Sequence, residues 1–208
     1  MMIDFYPTKA QYRSNEPIAL MFEHGGTYLN SIAVLSVYHL NSKVHCQYIS
    51  IDSDPLLIPL PILHGAAFGA ELTIGQSRFS TAFDVTETPG FPVRYGFLSD
   101  FAACDSGADD VMQMAKYHIN TVQFYDWSFR HDQLVSDQDE YSDMMGRKVS
   151  LPVVKEKIEA CHNQGMQALG YGAIYAASKP FYEKHRDWGL YTSAGDPHIF
   201  INTFCIMN

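Results

Sequence analysis

The hydrophobic pattern of this chain changes its period once, between its β-like first part and a mixed second part. In the first part, apolar residues recur at every second position, as in residues 70–74 and 79–85, which a Gly-Gln-Ser-Arg turn separates. Such alternation is typical of strands with one buried face, and the turn joins these two as a hairpin. A second hairpin is expected between residues 34–40 and 44–51, after a short strand at Ile18–Phe22. The pattern predicts a small antiparallel β-sandwich without helices.

The segment Thr86–Pro92 separates the two patterns, because its two prolines and its glycine continue neither a strand nor a helix. We place the boundary between two domains here, so that the first domain contains residues 1–88 and the second contains residues 89–208. Beyond it, strands and helices alternate, which predicts parallel strands joined by right-handed crossovers. The predicted strands are 93–98, 119–125 and 167–172, and the predicted helices begin at Ser106, Ser150 and Ser178, with Gly165 ending the second.

The length of the second part limits what it can form. A closed barrel of eight parallel strands and eight helices takes roughly 200–250 residues, and Val93–Asn208 holds about half of that number. It is enough for three strand–helix units and the approach to a fourth strand, which leaves an open sheet edge. The second part is therefore either a small open α/β sheet or the front part of a longer protein.

Composition excludes several classes of function. The chain has 14 Lys and Arg against 23 Asp and Glu, a net charge of −9, so neither nucleic acid nor an anionic membrane is an expected partner. Its longest apolar stretches are too short to span a membrane, and Met1–Phe5 has no signal-peptide pattern. The four cysteines form no CxxC pair, and we expect buried free thiols rather than disulfides. No cofactor and no metal are expected, since no dinucleotide, phosphate-loop or HExxH motif is present.

Carboxylates and aromatic rings follow each predicted parallel strand, where α/β sheets place their sites. Sugar recognition uses this mixture, because rings stack on the apolar C–H faces while carboxylates and imidazoles bond the hydroxyls. The candidate substrate-binding residues are Ser99, Asp100, Tyr125, Asp126, Trp127, His131, Tyr171 and Tyr175.

Each candidate also has a structural interpretation. Asp100 could cap a following turn, and Asp126 could form an ion pair with Arg130. Trp127 could be core, and His131 could be an ordinary polar loop residue. One of the two tyrosines after the third strand could serve packing only. Asp100 and Asp126 could also form a carboxylate pair of the glycosidase kind.

Three blocks at these strand ends resemble glycoside hydrolase family 66, which contains endo-dextranases and cycloisomaltooligosaccharide glucanotransferases. They are residues 94–101 (RYGFLSDF), residues 120–127 (NTVQFYDW) with Arg130-His131-Asp132, and residues 170–177 (GYGAIYAA). The resemblance covers most of residues 68–208 and, more loosely, the front sandwich. It implies an immunoglobulin-like β-sandwich at residues 1–88, followed at 89–208 by the first part of a (β/α)8 barrel.

The resemblance implies retaining cleavage or transfer at the α-1,6 bonds of dextran and isomaltooligosaccharides by two carboxyl groups. In the family these acids follow later strands, from the fourth onward, so the catalytic residues are expected beyond residue 208. The resemblance therefore assigns the role of nucleophile to neither Asp100 nor Asp126. Relatives are commonly secreted, which leaves the location of this chain open.

Three functions compete. The first is the front part of a dextranase-like enzyme, inactive alone, that associates with itself or with a missing C-terminal part through the open sheet edge. The second is a carbohydrate-binding or interaction module without chemistry. The third is a self-sufficient hydrolase that uses Asp100 and Asp126. A reading frame that continues to an acidic residue at the next strand end favours the first, and a natural stop codon after Asn208 favours the second.

Overall fold

A computed structural model describes residues 3–200 and 204–207. The described part of the chain is mainly β-structure, with three short α-helices. The first eight strands are β1 (Asp4–Pro7), β2 (Tyr12–Arg13), β3 (Ile18–Glu23), β4 (Ile32–His39), β5 (Ser42–Ser50), β6 (Leu56–Leu60), β7 (Ala67–Ile74) and β8 (Ser77–Thr86). They form one sheet in the order β1-β3-β6 and another in the order β2-β8-β7-β4-β5. The hairpins β4–β5 and β7–β8 are antiparallel, so both predicted hairpins are confirmed.

These two sheets share one hydrophobic core. Side chains alternate between buried and partly exposed along β3 and β7, as the two-residue period requires. Phe22 from one sheet and Leu72 from the other are completely buried, and Phe68 stacks on Phe83 with 5.2 Å between ring centroids. The apolar residues whose period predicts the strands are therefore the residues that hold the sheets together.

The second part contains the expected alternation of strands and helices. Its elements are β9 (Tyr95–Leu98), α1 (Asp109–Lys116), β10 (Thr121–Phe124), α2 (Leu151–Asn163), β13 (Gln167–Gly170) and α3 (Lys179–Lys184). The sheet order is β13-β10-β9. The strands β9 and β10 are parallel. The bond from Thr121 N–H to Arg94 O and the bond from Tyr125 N–H to Leu98 O are four residues apart in the same direction on both strands. The predicted helix start at Ser106 is wrong, since α1 begins at Asp109 and the Ser106 hydroxyl donates to Glu156.

Two small antiparallel groups of strands were not predicted. The first is a hairpin of β11 (Glu140–Ser142) and β12 (Lys148–Ser150). The second has the order β14-β16-β15, with β14 at Ala176–Ser178, β15 at Ile199–Phe200 and β16 at Phe204–Ile206. The predicted approach to a fourth barrel strand falls partly on Ile201–Thr203 and Asn208, which lie outside the described residues.

The chain divides into two compact units, and neither is one continuous stretch. The first unit contains residues 1–96, 109–121 and 160–167, and the second contains 97–108, 122–159 and 168–208. The predicted boundary at Thr86–Pro92 stays a prediction. All four cysteines are free, but Cys46 and Cys104 are exposed, so the expectation of four buried thiols is wrong for these two. None of the helices in the described ranges has the length and apolar character needed to cross a membrane.

Within the first unit, three carboxamide side chains hold the proline-rich segment. Gln11, Asn120 and Gln167 donate to backbone carbonyls of residues 89–92 over 2.8–3.0 Å. The Gln11 side chain also accepts the N–H of Gly90. Gln11 and Asn120 are almost fully buried, so these bonds satisfy amides that water does not reach.

The turn after α2 lies close to the backbone of Gln11. Gly165 has a φ of +72° and ends the helix, as the sequence predicts. A Cβ built on Gly165 would lie 2.5 Å from the carbonyl oxygen of Gln11. The neighbouring Gln164 carbonyl accepts the N–H of Ala10 over 3.0 Å. Only glycine fits here, because any side chain meets both the positive φ and the adjacent backbone.

Candidate functional site

The carboxyl ends of the three parallel strands lie at one edge of their sheet. The ladder extends one residue past β13, because Tyr171 N–H donates to Phe124 O over 3.1 Å. The rings of Tyr125 and Tyr171 consequently lie side by side, with centroids 4.7 Å apart. Tyr125 is exposed and Tyr171 is half-buried, so this pair presents ring surface to solvent at the strand ends.

Trp127 lies beside this pair in a fixed orientation. Its indole N–H donates to the Tyr171 carbonyl over 3.0 Å, and its own carbonyl accepts the Tyr141 hydroxyl. A Cβ built on Gly170 would lie 3.5 Å from the indole nitrogen, an ordinary contact distance, so the ring packs close to the backbone of this residue. The indole is half-buried, which fits neither a pure core residue nor a freely exposed one.

Asp126 ends β10 in an unusual conformation. Its φ is +56°, which non-glycine residues seldom adopt and which clusters at functional sites when the surroundings impose it. Its carboxylate forms an ion pair with Arg147. The predicted partner Arg130 donates instead to the carbonyls of Phe129 and Ser142. Asp126 therefore forms an ion pair, but the predicted partner Arg130 is wrong and the partner is Arg147.

The turn of the β11–β12 hairpin supplies Arg147 and holds it in place. Asp143 is buried and accepts the N–H groups of Met145 and Arg147 at 2.9 and 2.8 Å. It also accepts the Arg147 guanidinium, with Nη2 2.7 Å from its Oδ2. Burial acts to lower the pKa of Arg147, but hydrogen bonds to Asp143 and Asp126 raise it above its ordinary value. The guanidinium therefore stays charged between two carboxylates and ties the hairpin turn to Asp126.

A cavity of about 280 Å³ opens at this point, within the second unit. Four of the eight candidates line it, namely Tyr125, Asp126, His131 and Tyr175. Sequence reasoning missed its other lining residues, Ser128, Asp143, Met144 and Met145.

The remaining candidates lie outside the lining of this cavity. Ser99 is half-buried and Asp100 is exposed, both directly after β9. The carboxylate that caps the following turn belongs to Asp105, which accepts the N–H of Ala102 over 2.8 Å, so the capping role predicted for Asp100 is wrong. Trp127 and Tyr171 lie against each other beside the cavity. Nowhere in residues 3–200 or 204–207 do three or more His, Cys, Asp or Glu side chains form a group that could hold a metal ion.

His131 faces Tyr175 in the cavity wall, with ring centroids 5.7 Å apart in an edge-to-face arrangement. Burial lowers the pKa of His131 from its ordinary 6.5, although Asp132 and Asp126 act to raise it. This shift favours the neutral imidazole, in which one ring nitrogen donates and the other accepts hydrogen bonds.

We expect an NMR titration of the His131 ring to give a midpoint below 6.5. Unfolded chains bind a proton near pH 6.5 that folded His131 does not, so acidification below that pH lowers the free energy of unfolding. Urea denaturation at several pH values measures this slope, and His131→Gln should reduce it. His118→Asn is a positive control and should reduce the slope as well, because burial and Arg94 lower the pKa of His118 too. A His131 midpoint at or above 6.5 would contradict the prediction.

Comparison with known proteins identifies the family. The sequence model of glycosyl hydrolase family 66 matches residues 70–208. The chain belongs to glycosyl hydrolase family 66. Two curated family 66 relatives, both cycloisomaltooligosaccharide glucanotransferases of Niallia circulans, are 26% identical to it over 212 and 219 residues. These alignments cover 89% and 94% of this chain but 22% of each relative, so the chain spans about a fifth of their length.

The fold agrees with that of a solved glucanotransferase. The crystal structure of a Paenibacillus cycloisomaltooligosaccharide glucanotransferase in complex with cycloisomaltoheptaose superimposes with a TM-score of 0.84 at 23% identity. The match covers 99% of this chain and 34% of that one. The resemblance to family 66 drawn from the three sequence blocks is thereby confirmed.

Proposed function

We propose that this chain forms part of the glucan-binding cleft of a family 66 glycoside hydrolase or glucanotransferase that acts on α-1,6-glucans. The substrate class is dextran and isomaltooligosaccharides. The observation that carries the proposal is the cavity at the ends of the parallel strands, where Tyr125, Asp126, His131 and Tyr175 converge. Rings for the C–H faces and polar groups for the hydroxyls are what a sugar site requires. The cycloisomaltoheptaose complex of the similar glucanotransferase supports the substrate class.

The proposal includes the finer architecture. Residues 1–88 would be an immunoglobulin-like sandwich, and residues 89–208 would be the first part of a (β/α)8 barrel. The shared core of the first two sheets and the parallel order β13-β10-β9 support this division. In that sheet β9 and β13 each have one neighbour among the described strands. Further strands of the enzyme, or a second copy of the chain, would pair there.

The reaction would be a retaining cleavage or transfer with one ionised and one protonated carboxyl group. Asp126 does not suit the acid role, because its carboxylate is engaged in an ion pair with Arg147. Asp100 is exposed and does not line the cavity at the strand ends. We therefore assign the catalytic pair to residues outside this chain and a substrate-binding role to its strand ends.

The test combines binding with turnover. The purified 208-residue chain should bind isomaltooligosaccharides in calorimetry and should release no reducing ends from dextran above a buffer blank over many hours. Asp100→Asn and Asp126→Asn are the diagnostic variants. Hydrolysis that either variant abolishes would contradict the assignment and make that residue catalytic. No affinity for isomaltooligosaccharides would contradict the proposed substrate class.

A non-catalytic carbohydrate-binding module is the second candidate. The Asp126–Arg147–Asp143 arrangement favours it, because both carboxylates of the cavity are engaged in structural bonds rather than free for chemistry. Binding without cleavage by the protein of the complete natural reading frame would support this candidate. Cleavage by that protein would support the enzyme.

A further inference from the structure

We infer that a second groove, on the far side of the β11–β12 hairpin turn, binds glucose units of the same glucan chain beyond those at the strand ends. The inference rests on the proposed function. We define the outer groove by Phe129, Gln133, Pro180, Phe181 and Lys184, together with the hairpin turn.

The outer groove and the strand-end cavity share a wall. Asp143, Met144 and Met145 of the hairpin turn line both. The cavity of about 280 Å³ lies at the lower end of the size of small-molecule sites, roughly 300–1,000 Å³, whereas the outer groove encloses about 720 Å³. A glucan chain that fills the cavity therefore has to continue outside it. The outer groove begins at the hairpin turn that forms the wall of the cavity.

The charges of the outer groove favour a neutral ligand. Asp132 accepts the N–H and the hydroxyl of Ser178 at 2.7 and 2.9 Å. Asp143 is paired with Arg147, and Arg130 donates to backbone carbonyls. Three of the four charged side chains of the groove are therefore engaged with protein groups, and an ionic ligand would find only the Lys184 ammonium available. A neutral, hydroxyl-rich ligand such as a glucan needs no charged partner in the groove.

The groove also offers free donors and apolar surface. The side chains of Gln133 and Lys184 make no hydrogen bond within the described part of the chain and are exposed. Both can donate to sugar hydroxyls. Phe181, Pro180 and Met145 supply apolar surface for the C–H faces of the rings.

An aromatic series leads outward from the groove. The Phe181 ring contacts the His185 ring with centroids 4.5 Å apart, and the His185 ring contacts the Trp188 ring at 4.8 Å, both pairs in a tilted arrangement. Trp188 is 52% exposed, so the series ends on an open indole. Trp127 and Trp188 are the two tryptophans of the chain, one beside the strand-end cavity and one beyond the outer groove. They can therefore report the two sites separately.

The experiment compares short and long isomaltooligosaccharides on the full chain. Isomaltoheptaose should bind more tightly than isomaltotriose, and Phe181→Ala should reduce its affinity about three- to tenfold while leaving isomaltotriose unchanged. Gln133→Ala should act in the same direction if the aromatic variant fails to fold. Glu183→Ala, on the exposed part of the same helix, is the matched control and should bind both sugars as the parent does.

Fluorine NMR of protein labelled with 5-fluorotryptophan gives a second readout that needs no groove variant. The resonance absent in Trp188→Phe belongs to Trp188 and should move with isomaltoheptaose but not with isomaltotriose, whereas the Trp127 resonance should move with both. Equal affinities for the two sugars, with an unmoved Trp188 resonance, would overturn this inference and leave the proposed function standing. Failure of both sugars to bind would overturn the proposed function and the inference together.

Discussion

Replacing Gly165 with alanine should lower the free energy of unfolding by about 3 kcal/mol or more. Two costs combine at this position. The φ of +72° is unfavourable for any residue with a Cβ, and that Cβ would lie 2.5 Å from the carbonyl oxygen of Gln11. The backbone of Gln11 cannot move aside without disturbing the bond between Ala10 and Gln164. Urea denaturation followed by circular dichroism measures the change.

Gly195→Ala separates the two costs. Gly195 has a similar φ of +83°, but a Cβ built there meets nothing within 4 Å. We expect it to cost about 1–2 kcal/mol, the value for a positive φ alone. Equal losses for the two variants would show that the close approach to Gln11 relaxes freely, and the prediction would then be wrong.

Replacing Trp127 with alanine should weaken isomaltotriose binding by about 1–3 kcal/mol, which is roughly a 5- to 150-fold rise in Kd. The indole lies beside the Tyr125–Tyr171 ring pair, and its N–H bond to the Tyr171 carbonyl fixes its orientation. A sugar ring at the strand ends would lose a preorganised stacking partner. Calorimetry on folded protein, with thermal unfolding measured alongside, tests this.

Trp127→Phe is the control for the hydrogen bond. It keeps an aromatic face but removes the indole N–H, so it should retain most of the affinity if stacking dominates. Losses as large as those of the alanine variant would assign the effect to the bond with Tyr171 rather than to the ring. Unchanged affinity in Trp127→Ala would show that the indole serves packing alone.

The sequence predicts the regular parts of this fold because their burial is periodic. Leu72 and Phe83 occupy buried positions of β7 and β8, and the alternation around them is sufficient to predict the hairpin. The strand ends are predictable for a related reason. Parallel strands carry their carboxyl ends to one edge, so Tyr125 and Tyr171 meet although 45 positions separate them.

The partner of Asp126 was not predictable by this route. Arg147 lies on a hairpin whose strands have three residues each, too short to show a period. A local signal existed in the turn, which has Asp143 at its first position and Gly146 at its fourth. The Asp143 side chain accepts the N–H of Met145, as an Asx-turn does. Turn chemistry could thus have located the hairpin, but the ion pair to Asp126 depends on tertiary packing.

The carboxamides that grip residues 89–92 bear on where gene fusion or recombination can divide such a chain. Composition alone favours a crossover point at the prolines. An N-terminal product that ends at residue 88 would keep Gln11, however, and would lose the backbone groups of Gly90 and Phe91 that form hydrogen bonds with its side chain. A buried amide without partners costs about 1–3 kcal/mol. Chimaeras that exchange the part of the chain before this segment should therefore cross over after residue 92, so that Gln11 is inherited together with the peptide groups it bonds.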